Sequence, residues 1–207
     1  MPSGDQLVVT TDNGVRLRPI GGHRVTVDGH TDAVWSHHDH TWTLDLSCAR
    51  HRAQCPRMPY VRVPGGVSVT VSARNAGIDA AGLTGALDLT TVNGDVTVTR
   101  SGAATAALRL ATRNGSVRAT ALDVGRLHAA TTNGDVILTC ATAPSGVTAT
   151  TTNGSVDVTI PHDAPAYTVT ATTDDGRPTV AVPTHDARHG RAMTLTTVNG
   201  DVDAHLE

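Results

Sequence analysis

A segment of about twenty residues recurs seven times along this chain, and this recurrence restricts its fold more than any other feature. The copies align on one position, which is Asn in six of them and Asp in the other: Asn75, Asn93, Asn114, Asn133, Asn153, Asp175 and Asn199. Successive anchors are 18, 21, 19, 20, 22 and 24 residues apart. Units of this length are typically stabilised by stacking on one another.

Apolar residues occupy equivalent offsets in each copy. The positions six and four residues before every anchor are apolar, as in Leu87 and Leu89 before Asn93. In most copies two more apolar residues follow the anchor, such as Val96 and Val98. A spacing of two is the period of a β-strand, and Asn-Gly marks a tight turn because both residues readily take positive φ. Each copy therefore predicts a strand, a corner and a second strand.

The Asp175 copy deviates from this pattern. Pro178 stands where the other copies have an apolar residue, and Val180 and Val182 are read as an apolar pair displaced by two positions. We expect a less regular unit there.

Two architectures could use such units. Antiparallel hairpins would form a sandwich or barrel, whereas identical stacked units would form a solenoid. Because the whole unit repeats, including its apolar offsets, we predict an all-β chain folded as a parallel β-solenoid (β-helix) of about seven coils of ~20 residues with an N-terminal β cap. Residues 1–66 form the cap and a first coil-like segment, and residues 67–207 form the solenoid repeats, continuous with the cap as one domain.

Composition agrees with a narrow core and argues against some partners. The chain has no Phe, and a thin interior lined by small apolar residues does not require large rings. The formal net charge is −3, and the Arg residues are scattered without interleaved aromatic residues. We therefore expect no nucleic-acid partner.

The ends of the chain bear on its location. No stretch approaches the ~20 apolar residues that span a bilayer, and the start, MPSGDQLVV, lacks the segments of a secretion signal. Two interpretations stay open: a cytoplasmic protein, or an exported one whose leader or anchor is not present in this chain.

Several segments together resemble a known family. The repeated TTVNGDV pattern, CARHRAQC ahead of YVRVPGGVSVTV, and VDVTIPHDAPAYTVTATT are similar to bacterial β-strand-repeat proteins of unknown function that carry the label adhesin. The resemblance covers nearly the whole chain. It implies an extracytoplasmic or envelope-associated protein, held at the membrane only through an anchor that is absent from this chain.

The corner residues suggest three chemistries. Asp95, Asp135 and Asp201 follow Asn-Gly, so a carboxylate row could bind calcium or supply the acids of a glycan-cleaving enzyme. Ser116 and Ser155 alternate with these Asp residues, and we therefore favour side chains that cap the turns. A column of Thr two residues before the anchors could bind ice, but its parity favours inward hydroxyls that bond the backbone: Thr91, Thr112, Thr131, Thr151, Thr173 and Thr197.

The Cys and His residues of the first third could form a zinc site or a disulfide. The segment HHDH, residues 37–40, precedes Cys48, His51 and Cys55, but the spacing matches none of the paired zinc-binding patterns. We favour a hairpin turn at HHDH between Trp35 and Trp42, and a Cys48–Cys55 disulfide. We expect Cys140 to be buried, and predict neither a metal site nor a cofactor.

The sequence assembles no catalytic constellation. We therefore predict a non-catalytic envelope or surface scaffold, an adhesin-like module whose partner is a protein or glycan at the cell surface. The alternative is a polysaccharide-binding or polysaccharide-cleaving β-helix protein. A cleft of carboxylates and Arg on one face would favour that alternative.

Overall fold

The computed structural model describes residues 5–28, 33–47, 58–185 and 190–207. These residues form twenty strands. In chain order the strands are β1 (Gln6–Thr10), β2 (Val15–Ile20), β3 (Thr26–Val27), β4 (Val34–His38), β5 (Thr41–Asp45), β6 (Tyr60–Pro64), β7 (Ser68–Ser72), β8 (Ile78–Ala81), β9 (Leu87–Thr90), β10 (Val96–Thr99), β11 (Ala107–Ala111), β12 (Val117–Leu122), β13 (Arg126–Ala130), β14 (Val136–Cys140), β15 (Gly146–Thr150), β16 (Val156–Ile160), β17 (Tyr167–Thr172), β18 (Pro178–Ala181), β19 (Arg191–Thr196) and β20 (Val202–Leu206).

The strands form two sheets of ten that enclose one apolar interior. The first sheet has the order β17-β19-β15-β13-β11-β9-β7-β1-β5-β4, and the second has the order β18-β20-β16-β14-β12-β10-β8-β2-β6-β3. All pairings are parallel except β4 with β5 and β3 with β6, which are antiparallel. The described chain is therefore all-β, and its predominantly parallel pairing is that of a β-solenoid rather than an antiparallel sandwich or barrel.

Alternate side chains of the strands point inward and form the apolar interior. In β9 and β11, Leu89 pairs with Leu110 in the parallel register, and neither side chain is accessible to solvent. The second sheet repeats this arrangement, where Val96 of β10 pairs with Val117 of β12. Because parallel strands lie in register, equivalent apolar residues of successive copies form continuous buried rows.

The stacking order departs from the chain order at the last two copies. The unit of β19 and β20, which carries Asn199, stacks directly on the unit of Asn153, and β17 and β18 with Asp175 lie outside it. In the units of Asn75, Asn93, Asn114, Asn133, Asn153 and Asn199, the first residue of the second-sheet strand donates its N–H to a carbonyl of the next unit, as Val156 does to Asp201 and Val202 to Arg177.

Pro178 explains why the Asp175 unit lies at the end of the stack. It pairs with Val202 and so occupies the position whose N–H would donate a hydrogen bond to the next unit, but proline has no N–H. The Asp175 unit can therefore take only the outermost place, where proline is tolerated in an edge strand. Val180 pairs with Ala204, so the interpretation of a two-residue displacement in this copy was wrong.

Strands β1 and β2 near the start of the described chain belong to the stack. The strands β1 and β2 pair with β7 and β8 of the Asn75 unit, and on their other side with β5 and β6. The corner between β1 and β2 contains Asp12, Asn13 and Gly14.

Candidate functional site

The anchor residues form a column at one corner of the rod. Side-chain amides of five Asn residues connect neighbouring units through Nδ2 to Oδ1 hydrogen bonds of 2.8–2.9 Å: Asn93, Asn114, Asn133, Asn153 and Asn199. The two other anchors join through the backbone. The Asn75 amide donates to the Asp12 carbonyl, and Asp175 forms a bridge with Asn199.

The Thr column faces inward at this corner. Each of the six hydroxyls donates to a backbone carbonyl of a neighbouring unit over 2.8 Å, as Thr112 Oγ1 does to Gly94 O. Five of these Thr residues are buried and Thr173 is half-buried. An ice-binding surface needs exposed hydroxyls, so this column does not provide one.

The Asp and Ser residues after Asn-Gly also bond the backbone. Asp95 Oδ1 accepts from the Ser116 amide at 2.8 Å, and Ser116 Oγ accepts from the Asp135 amide at 3.2 Å. The alternation continues through Ser155 to Asp201, whose Oδ1 accepts from Arg177 N. Because a Ser separates successive carboxylates, the column avoids stacked like charges, and its oxygens cap turns as the sequence predicts.

A groove on the outer face of the first sheet is the candidate binding site. It has a volume of about 510 Å³ and crosses six neighbouring strands, β1, β7, β9, β11, β13 and β15. At ~4.8 Å per strand, this corresponds to roughly 24 Å along the rod. Its floor carries the small side chains of Ser68, Ala86 and Ala107, and Gly146.

One border of the groove is a cross-strand row of polar residues. Arg109 lies between Asp88 and His128 in the parallel register, and Thr70 and Thr148 extend the row at its two ends. Arg109 Nε is 3.8 Å from Asp88 Oδ1, and about half of each side chain is exposed. Such a pair stabilises the fold little, so its groups are available to a ligand.

The surroundings of His128 favour its neutral form. Partial burial lowers the pKa of His128 below its usual value of about 6.5, and the charge of Arg109 lowers this pKa further, whereas Asp88 raises it. His128 can therefore accept a proton from a ligand or donate a neutral hydrogen bond at pH 7.

The acidic residues of the groove bear on the glycan-cleaving alternative. Among its described lining residues Asp88 is the one carboxylate, whereas glycoside hydrolysis ordinarily uses two. The cleft that would favour a glycan-active protein is thus present in part, with Arg but without a carboxylate pair.

Sequence reasoning did not identify this groove. Asp88, Arg109, Arg126 and His128 stand at outward positions of three copies, and these positions differ in residue type between copies, so the repeat pattern does not distinguish them. The signal that could have been used is the shared offset: Asp88, Arg109 and His128 each lie five residues before an anchor.

The HHDH segment forms the predicted hairpin turn. Strands β4 and β5 pair on either side of Asp39, which has a φ of 52°. Trp42 is oriented by Asp5, whose buried carboxylate accepts from the indole Nε1 at 3.1 Å and lies 3.3 Å from His40 Nδ1. The His37 ring stacks on Trp42 with ring centroids 4.1 Å apart.

The structure bears differently on the predicted disulfide, the zinc site that was not favoured and the predicted burial of Cys140. Cys48, His51 and Cys55 lie outside the described residues, so the disulfide stays a prediction. Within the ranges that the structure covers, no cluster of three His, Cys, Asp or Glu residues could hold a metal ion. Cys140 is buried, as predicted, and burial raises the pKa of its thiol to about 12.

Tyr167 contributes to the core rather than to a surface. Its ring is inaccessible to solvent, and its hydroxyl donates to Pro144 O at 2.7 Å. The repeat region therefore offers no exposed aromatic ring on which a sugar could stack among its described residues.

The fold and the corner columns define this protein as a parallel β-strand repeat protein with asparagine turns. The comparison with protein families agrees with that class, because the family model described as Toastrack DUF4097 matches residues 65–207. The chain therefore belongs to the Toastrack DUF4097 family, whose function is unknown, in agreement with the family resemblance of the sequence.

One solved structure is also similar to this chain. It is titled "Crystal structure of a putative cell adhesion protein from Clostridium sporogenes ATCC 15579", with 9% identity and a TM-score of 0.46. The alignment covers 99% of this chain and 94% of the other. No curated protein matches this chain. The described residues contain no helix long and apolar enough to cross a membrane.

Proposed function

We propose that this protein is a non-catalytic binding scaffold of the cell envelope or surface, whose partner is a protein or glycan. The observation that carries the proposal is the groove on the first sheet, whose size is within the ~300–1,000 Å³ of ligand sites. It combines Arg109, Arg126 and His128 with the single carboxylate of Asp88.

The rod itself supports a presenting role. Its corners are occupied by structural hydrogen bonds, as for Asn133 and Thr131, so the outer faces are the surfaces left for a partner. In this proposal the repeats form about seven coils and residues 1–66 cap one end. A cap hides strand edges that would otherwise pair with other chains.

An extracytoplasmic location is part of the proposal. It rests on the predicted Cys48–Cys55 disulfide, because such a bond persists only in an oxidising compartment. The alternative is a cytoplasmic protein with three thiols.

A glycan array and a reducing-sugar assay on the same sample test the proposal. We expect saturable retention of one ligand class and no release of reducing ends. Release of reducing ends from a retained glycan would replace the scaffold with the polysaccharide-cleaving alternative.

A further inference from the structure

We infer that the groove on the first sheet binds an acidic polysaccharide lying along the rod, with Arg126 as the principal contact to its carboxylates. The inference rests on the proposed binding function and specifies the ligand class. Its evidence is the free guanidinium of Arg126, the local charge of the groove, and the orientation of the groove relative to the strands.

Arg126 is exposed and has space on both sides. Its register partners are Ala107 on β11 and Gly146 on β15, so no long side chain flanks the guanidinium. Within the described part of the chain, this guanidinium has no ion pair or side-chain hydrogen bond, unlike Arg109, which lies near Asp88. A planar guanidinium with free donors binds a carboxylate through two parallel hydrogen bonds.

The groove is positive on a chain that is negative overall. Arg109 and Arg126 contribute two positive charges and Asp88 one negative charge, which leaves +2 − 1 = +1 with His128 neutral. The formal charge of the whole chain is −3. A local field of opposite sign directs an anionic ligand to this face.

The orientation of the groove favours a sugar chain over a peptide. An extended peptide gains affinity on a sheet by pairing with a free strand edge. The floor strands β7, β9, β11 and β13 are each paired on both sides, so a peptide lying across them gains no main-chain ladder. Sugar hydroxyls can instead bond the side chains at the border, including Thr70 and Thr148.

Calorimetric titration of the full chain with oligogalacturonate at neutral pH tests the inference, with a maltooligosaccharide of the same length as the neutral probe. We expect binding of the acidic oligosaccharide and none of the neutral one. Arg126→Gln should weaken binding by about tenfold or more, the effect of losing a charge-assisted contact. The matched control is Arg118→Gln, which removes an exposed Arg from β12 on the second sheet.

Three outcomes would overturn the inference: no binding by the wild type, equal effects of Arg126→Gln and Arg118→Gln, or binding of poly-glutamate as tight as that of oligogalacturonate. Thermal melts of both variants exclude unfolding as the cause. A glycan-array ligand that is bound equally by Arg126→Gln and the wild type would defeat this inference and leave the proposed scaffold function intact. Reducing ends released from oligogalacturonate would defeat the non-catalytic function instead.

Discussion

The side-chain amide of Asn133 donates a hydrogen bond to Oδ1 of Asn114 over 2.8 Å, and its own Oδ1 accepts an equivalent bond from Asn153. Asn133→Ala removes both bonds from an interior step of the column. We expect a loss of about 1–3 kcal/mol in the free energy of unfolding, measured by urea denaturation. Thr132→Ala, at an exposed neighbour, is the matched control. Equal losses in the two variants would show that the column does not stabilise the fold.

The corner glycines tolerate no side chain. Gly134 has a φ of 145°, and a Cβ built there would lie 2.2 Å from the carbonyl oxygen of Gly115. Gly134→Val should therefore cost about 3 kcal/mol or more through strain and overlap. In Gly65→Ala, the new Cβ would be an ordinary 3.6 Å from Thr84 Oγ1, so this variant should melt near the wild type. An unchanged melting temperature for Gly134→Val would contradict the corner geometry.

The interior of the first sheet depends on large side chains in register. Leu110 is inaccessible to solvent and pairs with Leu89. Leu110→Ala should destabilise the protein by about 2–5 kcal/mol, because the narrow core cannot close the cavity. Leu110→Met keeps the volume and should cost less than ~1.5 kcal/mol. Rapid amide exchange at Leu110 in the wild type would contradict its place in the central ladder.

The titration of His128 reports the charges of the groove. NMR should give a pKa below the usual value of about 6.5, because burial and Arg109 both disfavour the imidazolium. Arg109→Gln should raise this pKa and Asp88→Asn should lower it, whereas Arg118→Gln on the opposite sheet should leave it unchanged. Because the folded protein binds this proton less readily than the unfolded chain, His128 should reduce stability as the pH falls through about 6.5 toward the folded pKa. Shifts of the opposite sign would refute the row Asp88–Arg109–His128.

The three thiols should differ in reactivity. The pKa of Cys140 is raised to about 12 by burial, so its thiol should react with iodoacetamide only after unfolding. If Cys48 and Cys55 form the predicted disulfide, it should stabilise the fold by about 2.5 kcal/mol for an eight-residue loop. Intact mass with and without reduction then shows one free thiol in the oxidised protein. Three alkylated thiols without reductant would exclude the disulfide.

The stacking order of the last two copies could not be predicted from the repeat pattern alone. The repeats present the same apolar offsets, so each unit is an acceptable neighbour for any other, and the pattern alone does not order them. Pro178 distinguishes the Asp175 unit from the others, because a residue without an N–H cannot donate a hydrogen bond to a further unit. The effect of Pro178 on the stacking order can be derived only from the structure, which shows that the N–H of Val202 points toward Arg177 of the next unit.

The sequence by itself determined the strand-corner-strand unit, the buried rows and the inward Thr column, because these follow from alternation and from the backbone preferences of Asn and Gly. Only the tertiary structure decided which outward residues become neighbours. Asp88, Arg109 and His128 are 21 and 19 residues apart in the chain, and parallel stacking brings them side by side. Outward positions carry no apolar constraint, so their identity varies between copies, and the groove exists only in the stacked rod.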